Sequence, residues 1–118
     1  MPHFVIEYSR DVQDHYDIKK VMQIAYKSGV ESGVMQAVDI KVRAKPYDHY
    51  RMLTESDSFV HTTIFLLAGR TDEQKEHVAV TLRKNLTDYL TKVTAVSIDI
   101  RDMNPVAYKK RLLASANN

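Results

Sequence analysis

The sequence predicts an α+β fold, a four-stranded sheet with two helices on one face, built from two copies of a β-α-β unit. Each half of the 118-residue chain reads strand, helix, strand. Val38-Asp39-Ile40-Lys41-Val42-Arg43 aligns with Val96-Ser97-Ile98-Asp99-Ile100-Arg101, and Ser9-Arg10 aligns with Gly69-Arg70. Pro46 and Pro105 follow in matching places. A helix between two strands of one sheet favours a parallel pair with a right-handed crossover. The length suits one domain. Within it we expect a first unit over 1–46, a linker over 47–58, a second unit over 59–105 and a tail over 106–118.

The first strand is Met1 to Tyr8, with Phe4, Ile6 and Tyr8 on one face and His3, Val5 and Glu7 on the other. Ile18, Val21, Met22 and Ala25 then fall at helical spacing, with Asp14 or Asp17 as the cap. Gly29 and Gly33 suggest the end of that helix. Val38, Ile40 and Val42 alternate with Asp39, Lys41 and Arg43 as a second strand, closed by Lys45-Pro46. Phe59 to Leu67 is the third strand, and its apolar Ile64-Phe65-Leu66-Leu67 suits cover on both faces. Thr71 with Gln74 is a capping-box signature for a helix that buries Val78, Leu82, Leu86 and Tyr89. Thr94 to Arg101 alternates as the fourth strand, closed by Asn104-Pro105, and the small polar end of the tail is expected to be loose. With both helices on one side, the other sheet face keeps apolar side chains that call for a second copy of the chain.

Composition narrows the function classes. A formal net charge of only +2 makes no demand for nucleic acid, though local basic clusters suit small anions. The absence of cysteine excludes disulfide and thiolate chemistry, and the five histidines show no ligand spacing on a shared face, so no metal is expected. The start carries strand-like alternation and charge rather than a signal peptide, and no apolar run is long enough to span a membrane. A cytoplasmic protein is the expectation.

The residue with the most chemical promise is Pro2. A small residue after the initiator methionine generally allows that methionine to be removed. Removal leaves a secondary amine at the end of an anchored strand. Burial and nearby cations both disfavour its charged form and lower its pKa, which makes it a general base near neutral pH. The alternative is a proline simply tolerated at a strand's first position.

Three features coincide: the Met-Pro strand, the duplicated unit, and the Gly69-Arg70-Thr71-Asp72-Glu73-Gln74-Lys75 run opening the second helix. Together they resemble the tautomerase superfamily. Gly69 to Met103 resembles one subunit of 4-oxalocrotonate tautomerase. The whole chain is most similar to the 5-carboxymethyl-2-hydroxymuconate delta-isomerases, through Pro2-His3-Phe4, Phe59-Val60-His61 and Ala68-Gly69-Arg70. The resemblance implies a cofactor-free isomerase that shifts a double bond in an unsaturated di- or tricarboxylate, with the N-terminal proline as base. It further implies a homotrimer with sites near subunit boundaries and a place in homoprotocatechuate degradation.

The resemblance also assigns residues. Arg70 matches the family's Gly-Arg arginine, beside a helix N-terminus that favours an anion. The family's second arginine corresponds to Lys41, a departure that replaces a bidentate fork by a point charge. Arg43, on the same face of the strand, is placed to share the task. The internal counterparts of Pro2 and Lys41 are Thr62 and Asp99, so one active site per chain is expected. His3 and His61 read as structural, and Lys109-Lys110-Arg111 as a solvated charge run. The competing functions are a related tautomerase with a different dienol, and a non-catalytic oligomeric ligand-binding module.

Overall fold

The computed structural model describes residues 1–113. In chain order the elements are β1 (His3–Ser9), a short α1 (Val12–His15), α2 (Ile18–Glu31), a 3-10 turn (Ala37–Asp39), β2 (Lys41–Tyr47), β3 (Phe59–Leu67), α3 (Asp72–Tyr89) and β4 (Ala95–Met103). The strands lie in the order β2-β1-β3-β4, with β1 parallel to β2, β3 parallel to β4, and the central β1–β3 pair antiparallel. This is the expected pair of β-α-β units laid side by side. No helix of the described residues is long and apolar enough to cross a membrane.

Alternation decides which face of the sheet carries the helices. Phe4, Ile6 and Tyr8 of β1 and Val60, Ile64 and Leu66 of β3 are buried against Val21 and Ala25 of α2 and Val78, Leu82 and Leu86 of α3. Each large apolar side chain buried this way contributes about 1.5–3 kcal/mol of transfer free energy. Asp17 is the cap of α2 and accepts a hydrogen bond from the Lys19 N–H at 3.0 Å. At α3 the capping box is complete: Thr71 Oγ1 accepts from the Gln74 N–H at 3.1 Å, and Gln74 Oε1 accepts from the Thr71 N–H at 2.9 Å.

Several sequence expectations are corrected. Gly29 does not end α2, which runs on to Glu31; it lies where the helix crosses the core. A Cβ there would meet Met35 Sδ at 2.9 Å, Ile40 Cδ1 at 3.0 Å and Phe4 Cζ at 3.0 Å, so close packing explains this glycine. The end belongs to Gly33, whose φ of +73° turns the chain. Ala37–Asp39 is not strand: the Tyr26 hydroxyl donates to the Ala37 carbonyl at 2.8 Å and holds a tight turn, so β2 begins only at Lys41. Pro46 does not close β2 but sits inside it, tolerated because β2 is an edge strand. The linker therefore starts one residue late, after Tyr47. Finally, β3 is covered on one face only within the chain; Phe59, His61, Thr63, Phe65 and Leu67 stay half-buried on the other. β4 is longer than expected, reaching Met103. The loose end expected of the tail concerns 114–118, outside the described residues.

The register aligns the two units. His3 pairs with Lys41 in the first, and Thr63 pairs with Asp99 in the second. Thr62 thus holds in β3 the place that Pro2 holds before β1. It is fully buried, and its Oγ1 has no hydrogen-bond partner among the described residues. Asp99 forms an ion pair with Arg101 at 2.7 Å, an anion where the first unit presents a cation.

Candidate active site

Pro2 is buried at the entry to β1, and its carbonyl accepts from the Lys41 N–H at 3.1 Å, the first rung of the β1–β2 ladder. That rung fixes the start of β2 beside the start of β1. The antiparallel pairing of β1 with β3 brings the end of β3, and with it Arg70, to the same edge of the sheet. Two glycines steer the chain there. Gly69, with φ of +117°, turns it out of β3 immediately before Arg70. Gly33 turns it out of α2 and presents the Val34 carbonyl. Arg70 Nη1 donates to Leu67 O at 3.3 Å and Nη2 to Val34 O at 3.4 Å. Lys41 Nζ donates to Asp39 O at 3.0 Å. Neither cation has a carboxylate partner among the described residues, so both keep charge for an external anion.

Arg43 is exposed and engages a different partner. Its Nη1 donates to His3 Nδ1 at 3.2 Å, while His3 Nε2 meets the Tyr108 hydroxyl at 3.0 Å. A guanidinium can only donate, so Nδ1 must accept and the ring proton resides on Nε2. His3 is therefore neutral. Its pKa lies below the ordinary 6.5 because of burial first, and then because of Arg43, Lys41, the chain terminus and Lys110. The structural reading of His3 agrees with these two contacts. His61 lies on the same open sheet face, its Nδ1 2.7 Å from Ser97 Oγ.

The terminal amine reports the field at this edge. At Met1 it is held below its usual 8.0, chiefly by burial; Asp39 opposes the shift, while Arg70, Lys110 and Lys41 add to it. Lys109, Lys110 and Arg111 are all exposed, as the sequence reading of a solvated run expects, but Lys110 also makes contacts. Its Nζ pairs with Asp39 Oδ1 at 2.9 Å and touches the Met1 sulfur. Asn104 makes this possible. Its side-chain oxygen accepts from the N–H groups of Val106 and Ala107, both at 2.9 Å, and its carbonyl accepts from Tyr108 N–H at 3.0 Å. The turn sends the tail back across the sheet edge, where Tyr108 meets His3. A groove among the described residues lies elsewhere, between α2 and the edge strand, lined by Lys20, Met22, Tyr26 and Val42. It holds none of the cations around Pro2.

A model of the 5-carboxymethyl-2-hydroxymuconate isomerase family matches residues 2–114, nearly the whole chain. The chain belongs to that family. Family membership makes it an isomerase, and its architecture is that of the tautomerase fold. No curated protein matches the sequence. Among solved structures it is similar to a 5-carboxymethyl-2-hydroxymuconate isomerase from Deinococcus radiodurans R1, with 23% identity and a TM-score of 0.85 over 98% of this chain and 92% of that one. A 5-carboxymethyl-2-hydroxymuconate delta-isomerase is similar at 15% identity and a TM-score of 0.79, covering 99% and 91%. A fused 4-OT described as an asymmetric trimer is similar at 18% identity and 0.70, covering 92% and 91%. At these identities the likeness is one of fold, and the isomerase assignment rests on the family match. The structure gathers Pro2, Lys41 and Arg70 at one edge, together with Asp39, Tyr108 and Lys110. Arg43 stands one step away, against His3.

Proposed function

We propose that the protein shifts a double bond in an unsaturated oxo- or hydroxy-di- or tricarboxylate of the 5-carboxymethyl-2-hydroxymuconate type, with Pro2 as general base. The observation that carries this is the buried Pro2 at a terminus whose amine feels the charges of Arg70, Lys110 and Lys41. Removal of Met1 converts that nitrogen from an amide to a secondary amine. The burial and cations that lower the amine pKa at Met1 then act one residue further in, and favour the free base. Pro2 takes the dienol proton, the electron pair left on oxygen becomes a carbonyl, and the double bond moves along the chain. The proton then passes from the prolinium to a distant carbon. Nothing is oxidised or reduced overall, so the step calls for no cofactor. Arg70 and Lys41 hold the substrate carboxylates, with Arg43 supporting through His3.

Such a reaction suits the degradation of homoprotocatechuate. A second reading, a related tautomerase acting on another dienol, is favoured by Lys41, whose point charge sets carboxylate geometry less strictly than an arginine fork. A homotrimer fits both readings. Val5, Phe59, Phe65 and Leu67 leave a half-exposed apolar set on the open sheet face that a partner subunit would cover.

The test is turnover of 5-carboxymethyl-2-hydroxymuconate, followed by ultraviolet absorbance. Arg70→Ala should lower kcat/KM by about one to two powers of ten, the worth of a charge-assisted hydrogen bond of roughly 1.5–3 kcal/mol. Lys41→Arg should keep or raise activity. An Arg70→Ala protein as fast as wild type would remove Arg70 from the site.

A further inference from the structure

We propose that Tyr108, delivered by the tail, donates a hydrogen bond to the substrate oxygen from which Pro2 takes the proton, and that Arg43 and His3 aim its hydroxyl. The inference rests on the isomerase reading above and deepens it. One chain of contacts fixes where the protons lie. Arg43 Nη1 donates to His3 Nδ1 at 3.2 Å. A guanidinium has no acceptor, so the ring proton is on Nε2 and is donated to the Tyr108 oxygen at 3.0 Å. That oxygen is thereby the acceptor, and its own O–H points away from the imidazole. No other partner meets this hydroxyl among the described residues. Its proton is free for an external acceptor.

The donor is held where the reaction needs one. The Asn104 turn returns the tail to the start of β1, and the Tyr108 and His3 rings pack edge to face with centroids 5.9 Å apart. His3 follows Pro2 directly and pairs with Lys41 across the β1–β2 ladder. Lys41 and the terminal amine both act on the His3 ring, which lies within their field. As Pro2 takes the dienol proton, negative charge develops on that oxygen before it becomes a carbonyl. Arg70 and Lys41 serve the carboxylates and leave this oxygen without a donor. An O–H already oriented in the free protein stabilises such charge with little reorganisation. Tyr108 keeps its proton throughout, so the proton count of the step is unchanged. Arg43 and His3 act through Tyr108 and are positioning residues.

The experiment measures turnover of 5-carboxymethyl-2-hydroxymuconate by wild type, Tyr108→Phe, Arg43→Met and the double variant. Tyr108 lies outside any helix or strand and phenylalanine keeps its ring, so the fold is spared, which circular dichroism checks. Tyr108→Phe should lower kcat about tenfold or more and leave KM within about twofold, because the lost bond is strongest in the transition state. Arg43→Met should lower kcat by less, and should cost nothing further in the Tyr108→Phe background, as residues of one network do. An unchanged kcat in Tyr108→Phe, or costs of the two substitutions that simply multiply, would overturn the relay while leaving the isomerase reading intact. A wild type inert toward the dienol would sink the isomerase reading instead. Calorimetry with 2-oxoadipate and adipate, which differ only at C2, then decides for Tyr108. Wild type should favour 2-oxoadipate, and Tyr108→Phe should lose that preference while binding adipate as before. An equal loss for both ligands, no change, or no binding of either by wild type overturns it.

Discussion

His3 shows how single side chains set the charge at this edge of the sheet. Arg43 donates to one ring nitrogen and Tyr108 meets the other, so protonation of Nδ1 would break the Arg43 contact and place two cations together. The folded pKa lies below the unfolded 6.5. Below 6.5 the unfolded chain therefore binds more protons at this group than the folded one does. Stability from His3 is present at neutral pH and is lost as pH falls through 6.5 towards the folded value. Between about pH 7 and about pH 5, the urea midpoint should fall further in wild type than in His3→Gln, whose side chain does not titrate. Equal falls in the two proteins would show that His3 carries no such linkage. The same scale separates the two units: the first sets the cation Lys41 beside His3, whereas the second sets the anion Asp99 beside Thr63.

At the scale of elements, the sequence was legible wherever local pattern and tertiary role agree. β1 alternates strictly because one face is core and the other is open, and α3 announces itself through Thr71 and Gln74. The misreadings arise where a distant contact decides. Val38-Ile40-Val42 alternates like a strand, yet Tyr26, eleven residues back, holds Ala37 in a turn. Gly29 reads as a helix end until Phe4, Met35 and Ile40 are seen to close on it. Pro46 reads as a strand end, and only the strand order reveals an edge that tolerates it. In the candidate site, Pro2, Lys41 and Arg70 were accessible from sequence because each sits at the end of a recognisable element. Lys110 was not. Its contact with Asp39 spans 71 positions, and in the sequence it is one cation among three neighbours. The Asn104-Pro105 turn signal was visible, but not the direction in which it sends the tail.

The whole molecule is a two-layer domain whose sheet is covered on one face only. The helices cover one sheet face, while Val5, Phe59, Phe65 and Leu67 on the other are only half-buried. Lys41, Arg43 and Lys45 of β2 place three cations along the edge strand beside this face. The proposed ring of three chains would remove that apolar area from water and would bring the sites close to subunit boundaries. Light scattering at micromolar concentration should give a mass about three times that of the 13.6 kDa chain. A monomer under those conditions would contradict both the covered face and a site shared between subunits.

The central claim is that the Pro2 nitrogen, freed of Met1, moves the proton. The measurement that bears on it most directly pairs intact mass with isomerase rate on the same preparations. One preparation has Met1 removed, and another retains it through a block on processing. Mass identifies each, and circular dichroism shows that both are folded. An amide nitrogen is not basic, so the account predicts turnover in the processed protein and none in the protein that keeps Met1. Full activity in a preparation shown by mass to retain Met1 would contradict it.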